Sequence, residues 1–141
     1  MPKKNKIVVF IEKTDTGFSA YAENYPVFTT GISMHKLIDN CTEAFTLYFE
    51  VEKLDPALIS FEIDFKQFFQ YYKVINSKAL AEKIGMNPTL LSQYVRGHKR
   101  PSPGQSRRIL YGINRIGQEL AEMKIIYEKS EQKTVPLSNS R

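Results

Sequence analysis

The chain is short of the residues that build disulfide frameworks, metal centres and membrane spans. It has one cysteine, Cys41, two histidines and no tryptophan. A single cysteine excludes an internal disulfide and a zinc site of several cysteines. No apolar run approaches the roughly 18 residues that cross a bilayer. The run Ile7–Ile11 behind the basic N-terminus is too short for a signal-peptide core, so these absences predict a cytoplasmic protein without a membrane span.

Residues with catalytic chemistry are few and scattered. His35 and His98 have no cysteine or serine partner at a spacing typical of nucleophilic sites. Cys41 lies on the apolar face of a predicted helix, where a small core residue is the usual interpretation. The available carboxylates are Asp15, Glu23, Asp39, Glu43, Glu62 and Asp64. Their positions in a turn and on polar faces favour solvated surface over a metal cluster, so we expect no enzyme, no catalytic residue, no cofactor and no metal.

The charge is distributed unevenly along the chain. Residues 1–65 hold six Lys and Arg against ten Asp and Glu, a net charge of −4. Residues 66–141 hold fourteen against five, a net charge of +9, and the whole chain carries +5. An acidic half followed by a strongly basic half predicts two modules with different partners.

The acidic half alternates in the manner of strands. Strands are predicted at 6–12, 18–24, 27–32 and 59–65, with Gly17 in the first turn. Between the last two strands, Ser33 is expected to cap a helix that runs through about Lys53. The order β-β-β-α-β predicts a small sheet covered on one face by a helix, in a domain spanning 1–65.

From Lys66 the apolar period becomes helical. Helices are predicted at 67–75, 78–84, 89–96 and 104–127, the second of them capped by Ser77, with a basic loop at 98–103. We therefore expect an all-α domain over 66–127, and a disordered polar tail over 128–141. The fold class of the whole chain is predicted to be α+β.

Two of these helices have the features of a helix-turn-helix that reads DNA. Ala81 supplies a small residue where the helices cross, and Gly85 tolerates the positive φ of a tight turn. Apolar residues flank the turn and line the inner face of the second helix: Leu80, Ile84, Met86, Leu91 and Tyr94. The outward face is predicted to read bases through Thr89, Ser92, Gln93 and Arg96. The alternative is a plain helical hairpin with a solvated basic face.

Basic residues beyond the second helix are well placed for phosphates: Lys99, Arg100, Arg107 and Arg108. Residues 77–97 resemble the helix-turn-helix of the phage-repressor-like (XRE) class, and "RGHKRPS" at 96–102 resembles the loop that follows it. By this resemblance Thr89, Ser92, Gln93 and Arg96 match base-facing positions. The resemblance also assigns phosphate contacts to Ser77 and Lys78, at the start of the bracing helix.

The acidic half resembles the HicB antitoxin family. "EKTDTGFSAYAEN" is similar to that family's first hairpin, "TTGIS" to its third strand and helix start, and Cys41-Thr42-Glu43-Ala44 to its helix. The resemblance implies a truncated RNase H-like fold that blocks a small, basic, mRNA-cleaving HicA-like toxin. It also implies repression of the protein's own operon through double-stranded operator DNA. We expect a homodimer or higher oligomer to bind this DNA, because two half-sites one helical turn apart need two copies.

Two features of the sequence each allow two interpretations. The rival function is a stand-alone repressor whose first domain dimerises or senses a ligand. The aromatic residues at the junction form either a base-stacking platform or core and interdomain packing, and the lack of interleaved basic residues favours packing: Phe65, Phe68, Phe69, Tyr71 and Tyr72.

Overall fold

Four strands and one helix form the first half of the chain in the computed structural model, which describes residues 6–133. The elements are β1 (Ile7–Thr14), β2 (Gly17–Ala22), β3 (Phe28–Gly31), α1 (Met34–Tyr48), a 3₁₀ turn (Pro56–Leu58) and β4 (Ile59–Ile63). The sheet order is β3-β2-β1-β4. β1 pairs antiparallel with β2 and parallel with β4, so the sheet is mixed.

Helix α1 begins as predicted and ends earlier. The Ser33 hydroxyl accepts a hydrogen bond from the Lys36 N–H at 3.1 Å. The helix stops at Tyr48 rather than near Lys53, because Glu50 takes a positive φ of 55° and reverses the chain. Leu54 lies beyond this reversal and is nevertheless buried, so the pattern of apolar residues continues in the sequence past the end of the helix.

The first core lies between α1 and one face of the sheet. Alternate residues of β1 point into it, and Leu37, Cys41 and Phe45 of α1 fill it from the other side. The opposite, open face of the sheet presents Phe10, Tyr21 and Glu62, which come from the other alternation of the same strands. The predicted sheet covered on one face is therefore confirmed.

Four helices form the second half of the described chain: α2 (Phe65–Tyr71), α3 (Ser77–Ile84), α4 (Pro88–Val95) and α5 (Pro103–Lys133). The predicted strand to residue 65 was too long, because Asp64 caps α2. Asn76 caps α3, so the predicted Ser77 cap is wrong by one residue and Ser77 is the first helical residue. The last helix extends six residues past the predicted end at 127. Part of the predicted tail, 128–133, is thus helical, and 134–141 lie outside the described residues.

A second core joins the helices of the basic half. Its buried residues are Phe65, Phe69, Leu80, Ala81, Met86, Leu91, Tyr94 and Ile109. Phe65 and Phe69 are buried there and Phe68 packs against them, so these three aromatic residues belong to the core of the basic half, as the packing interpretation predicted. The α+β class is confirmed. Among the described helices, none is both long and apolar enough to cross a membrane.

The two halves are joined by polar contacts as well as by the chain. Gln67 of α2 exchanges two hydrogen bonds with the backbone of Lys13, at 2.9 and 2.7 Å. The Tyr71 hydroxyl donates to Asp15 at 2.8 Å, across 56 residues of sequence. Ile63 packs against both cores. These contacts dock α2 on the end of the β1–β2 hairpin.

Candidate nucleic-acid interface

The turn between α3 and α4 is built on Gly85. Its φ of 71° lies in the left-handed region, where a side chain would be strained. In this conformation its N–H reaches the carbonyl of Glu82 at 3.3 Å, and the next N–H, of Met86, reaches Ala81 at 2.8 Å. Arg108 of α5 donates to the Gly85 carbonyl at 2.7 Å. The turn is therefore held from both sides, as a rigid helix-turn-helix requires.

Helix α4 starts immediately after that turn. The Asn87 side chain accepts hydrogen bonds from the N–H groups of Thr89 at 2.8 Å and Leu90 at 3.3 Å. Pro88 occupies the first helical position, where its missing N–H costs nothing. With a left-handed Gly85 and a capped α4 so close together, the direction of α4 relative to α3 is set locally.

The proposed reading face lies on the side of α4 away from the core. Leu91 and Tyr94 are buried in the second core, where α4 packs on α3 and α2. The four candidate base readers are spaced at i, i+3, i+4 and i+7 and so share the opposite side: Thr89, Ser92, Gln93 and Arg96. Thr89 and Arg96 are exposed, and Ser92 and Gln93 are half-buried. All four carry hydrogen-bonding side chains, which direct readout in a major groove needs.

The loop after α4 folds back onto the end of that helix. Gly97 takes a φ of 79°, and the N–H groups of His98 and Lys99 both donate to the Gln93 carbonyl, at 2.8 and 3.2 Å. Lys99 is exposed beside the reading face as a result. Its predicted phosphate contact is therefore compatible with its position.

The remaining candidate phosphate contacts lie at helix starts. Ser77 and Lys78 open α3, and Lys78 is exposed. Arg107 and Arg108 lie in the second turn of α5 and are both exposed. Of these two arginines, Arg108 also holds the Gly85 turn, so a substitution there would change the turn as well as the charge.

Arg100 has partners within the protein that its predicted phosphate contact does not include. Its guanidinium makes two hydrogen bonds to the Glu62 carboxylate, at 3.1 and 3.2 Å, and one to Glu23 at 3.0 Å. It also stacks 4.9 Å from the centroid of the Phe10 ring. All three partners belong to the sheet half, so Arg100 joins the two halves.

The electrostatics around Arg100 follow from this geometry. Its hydrogen bonds to Glu62 come first among the causes that raise the pKa of the guanidinium, so the charged form is stabilised there. Beside it, Tyr21 stacks on Phe10 and donates to Asp64 at 2.9 Å. Burial, and then that hydrogen bond, raise the pKa of the Tyr21 hydroxyl. These contacts form a joint between the two halves at this end of the sheet: Arg100, Glu23, Glu62 and Phe10, with Tyr21 and Asp64 beside them.

Most of the carboxylates considered for catalysis have structural partners. Asp15 accepts from Tyr71, Asp64 caps α2 and accepts from Tyr21, and Glu23 and Glu62 bind Arg100. Asp39 lies 3.5 Å from the exposed His35. Within residues 6–133 there is no group of three His, Cys, Asp or Glu side chains placed to hold a metal ion. Cys41 is buried in the first core, as predicted.

Sequence reasoning missed the joint because its members are far apart. Glu23 and Glu62 precede Arg100 by 77 and 38 residues. The one available signal was alternation, which puts Tyr21 and Glu62 on the polar side of their own strands, whereas the pairing register of the sheet brings them beside Phe10.

Comparison of the chain with models of known protein families, with curated protein sequences and with solved structures finds no match.

Proposed function

We propose that this protein binds double-stranded operator DNA through α3 and α4 and acts as a transcriptional repressor and antitoxin. The proposal of DNA binding rests on one observation, the reading face of α4. It holds four hydrogen-bonding side chains opposite a buried face, on a helix whose start is capped and whose approach is set by a left-handed glycine. A plain solvated hairpin needs no such arrangement of polar side chains.

Phosphate contacts complete the proposed interface. Ser77 and Lys78 at the start of α3, Lys99 in the following loop and Arg107 on α5 are assigned to phosphates, where they fix the register of α4. Arg108 contributes charge while holding the turn, and Arg100 is left out because its donors are engaged by carboxylates. The net charge of +9 on residues 66–141 supports this half of the proposal. A cytoplasmic location belongs to the same proposal.

The antitoxin half rests on the acidic module. Its net charge of −4 complements a small basic toxin of the HicA type, since a protein that binds RNA presents a positive surface. The order β-β-β-α-β followed by a helix-turn-helix is the one that the resemblance to HicB implies. The rival proposal is a stand-alone repressor, in which the sheet half only dimerises or binds a ligand.

The DNA half is tested by selecting binding duplexes from a random library and titrating variants on the selected sequence. Gln93→Ala should weaken this duplex by about 1–3 kcal/mol and relax the preference at one base pair, while binding to scrambled duplexes hardly changes. Gln118→Ala on exposed α5 is the matched control. Equal weakening on both duplexes, or none, would mean that α4 does not read the bases.

A second pair of variants tests the phosphate contacts. Arg107→Ala should weaken binding to every duplex alike and reduce the salt slope by about one unit. Arg115→Ala removes an equal charge from the same helix at a site where the guanidinium contacts Tyr111, so it should leave the slope unchanged. A salt slope that is the same for Arg107→Ala and the unaltered protein would contradict the assignment.

The antitoxin half is tested separately, with the product of any short basic reading frame beside this one. Co-expression with the full chain should restore growth to cells arrested by that product, and the two purified proteins should form a complex. A variant with Gln93→Ala should still restore growth, because the sheet half is intact. Sequence-specific DNA binding without neutralisation or a complex would favour the stand-alone repressor.

A further inference from the structure

Helix α5 carries an apolar stripe that leaves the core. Its members recur at alternating spacings of four and three residues: Ile109, Ile113, Ile116, Leu120, Met123 and Tyr127. The first is fully buried and the next two pack partly against the second core. The last three are 62, 61 and 73% exposed. A stripe with the 4-3 spacing of a coiled-coil seam therefore continues past the part of the helix that the domain covers.

The surroundings of the stripe are also apolar. Ile126 beside it is 65% exposed, and Val74 in the turn before α3 is 88% exposed. A cavity of about 270 Å³ between that turn and the stripe is lined mainly by apolar side chains: Val74, Ile75, Ala79, Ile113, Ile116 and Leu120. Singly exposed apolar residues are ordinary, but a contiguous patch of this kind marks an interaction surface.

We propose that the exposed part of α5 pairs with α5 of a second copy of this chain, as a parallel two-stranded coiled coil. The seam is self-complementary, since the 4-3 spacing gives the same knobs and holes on both copies. Leu120 and Tyr127 occupy the a positions of the heptad, and Ile116 and Met123 the d positions. Neither copy contributes a charged residue to the seam between 113 and 127.

The flanking charges select the parallel orientation. In the same heptad frame Glu119 occupies a g position and Lys124 the following e position. In a parallel pair, g of one helix meets the next e of the other, so Glu119 lies beside Lys124 of the second copy. An antiparallel pair places g beside g and e beside e, and loses this attraction. Both side chains are at the surface, where their own-chain ion pairs are long, at 3.5 to 3.9 Å.

Pairing of this kind would bring two helix-turn-helix units together at one end of the coil. Two reading helices related by a two-fold axis fit an operator with two half-sites one helical turn apart. This consequence rests on the proposed DNA binding, whereas the pairing itself does not. The two are therefore tested in different experiments, and the pairing is tested without DNA.

The mass of the full chain in solution is the first test. Light scattering across a concentration series should give twice the chain mass, and Met123→Glu should shift the midpoint of association at least tenfold upward. Gln118→Glu adds the same charge at an outward f position and should leave association unchanged. Circular dichroism should show both variants folded, because both positions are exposed. A monomer at all concentrations, a larger assembly, or a dimer that Met123→Glu does not weaken overturns the proposal.

Orientation is tested by cysteine cross-linking. In a parallel, in-register coil, Met123→Cys and Tyr127→Cys each place two thiols across the seam, within the distance that a disulfide spans. Both variants should form covalent dimers under mild oxidation, and Gln118→Cys should not. Cys41 is buried and contributes no cross-link. Failure of both seam variants, or cross-linking of only one of them, overturns the parallel arrangement even if the chain is dimeric.

Discussion

Lys99 and Arg100 are neighbours in one basic loop, yet their side chains have different surroundings. The Lys99 side chain is exposed beside α4, whereas Arg100 is bound by Glu62 and Glu23 and stacked on Phe10. A planar guanidinium with five donors suits such a bidentate and stacked site better than an ammonium does. Their position just beyond the second helix of the helix-turn-helix assigns both residues to phosphates in the sequence, and only the position of the sheet separates them.

The pair provides a matched test. Arg100→Ala should lower the free energy of unfolding by about 1 kcal/mol, because it removes partly exposed ion pairs and a cation–π contact, and it should leave the salt slope of DNA binding unchanged. Lys99→Ala should do the reverse: a stability change within about 0.5 kcal/mol and a slope reduced by about one unit. Urea titration and salt titration measure the two effects. If Arg100→Ala reduces the slope as Lys99→Ala does, then Arg100 leaves the joint to bind DNA.

The burial of Cys41 makes the stability of the protein depend on pH. Burial in the first core raises the pKa of its thiol to about 11. A folded pKa above the ordinary value of about 8.5 to 9 favours the protonated thiol, so its contribution to stability is complete below pH 8.5 and is lost as the pH rises towards 11. Between pH 8 and 10.5 the unaltered protein should lose about 2 kcal/mol more than Cys41→Ala does. Urea unfolding of both proteins at the two pH values measures this difference, and equal losses would contradict it.

At the scale of elements, β3 and α1 approach each other unusually closely at Gly31. A Cβ at this position would lie 2.5 Å from the Leu37 backbone nitrogen and 2.6 Å from its Cα. Because Leu37 is fully buried, the helix has little room to move away. The close approach therefore depends on glycine at the end of the strand.

Two glycine substitutions with opposite expected effects on stability test this packing. Gly31→Ala should destabilise the protein by about 1–3 kcal/mol through overpacking. Gly117→Ala, on exposed α5 where nothing lies within 4 Å of the new methyl group, should stabilise it by about 0.5–1 kcal/mol. Thermal or urea unfolding compares both with the unaltered protein. A neutral Gly31→Ala would show that β3 shifts away from α1 at little cost.

Boundaries marked by the local chemistry of one residue were more predictable than the end of α1. Ser33, with its side chain on the Lys36 N–H, caps α1 as its chemistry suggests, and Gly85 ends α3 in the left-handed conformation. The end of α1 was missed because apolar residues beyond Tyr48, including Leu54, reach the same core from a loop. Periodicity reports which side chains are buried, and burial does not require the helix to continue.

At the scale of the whole molecule, the pairing through α5 and the reading by α4 should be separable. Met123→Glu should bind a single half-site as tightly as the unaltered protein, because α4 is untouched. On a duplex with two half-sites it should lose the tighter binding, and its salt slope should fall to about half. Titrations on one-site and two-site duplexes measure this. Equal losses on both duplexes would place α5 in the DNA contact itself.

Short-range chemistry in the sequence was enough to determine several features of this protein. The strand and helix types, the left-handed turn at Gly85, the polar face of α4 and the division of charge between the halves all follow from neighbouring residues. Tertiary structure alone decided which basic residues remain available and which part of the α5 stripe is covered. Arg100 meets carboxylates that precede it by 38 and 77 residues, and α5 extends beyond the core that buries Ile109. Such contacts depend on how the sheet and helices dock, because only docking brings residues so distant in the chain together.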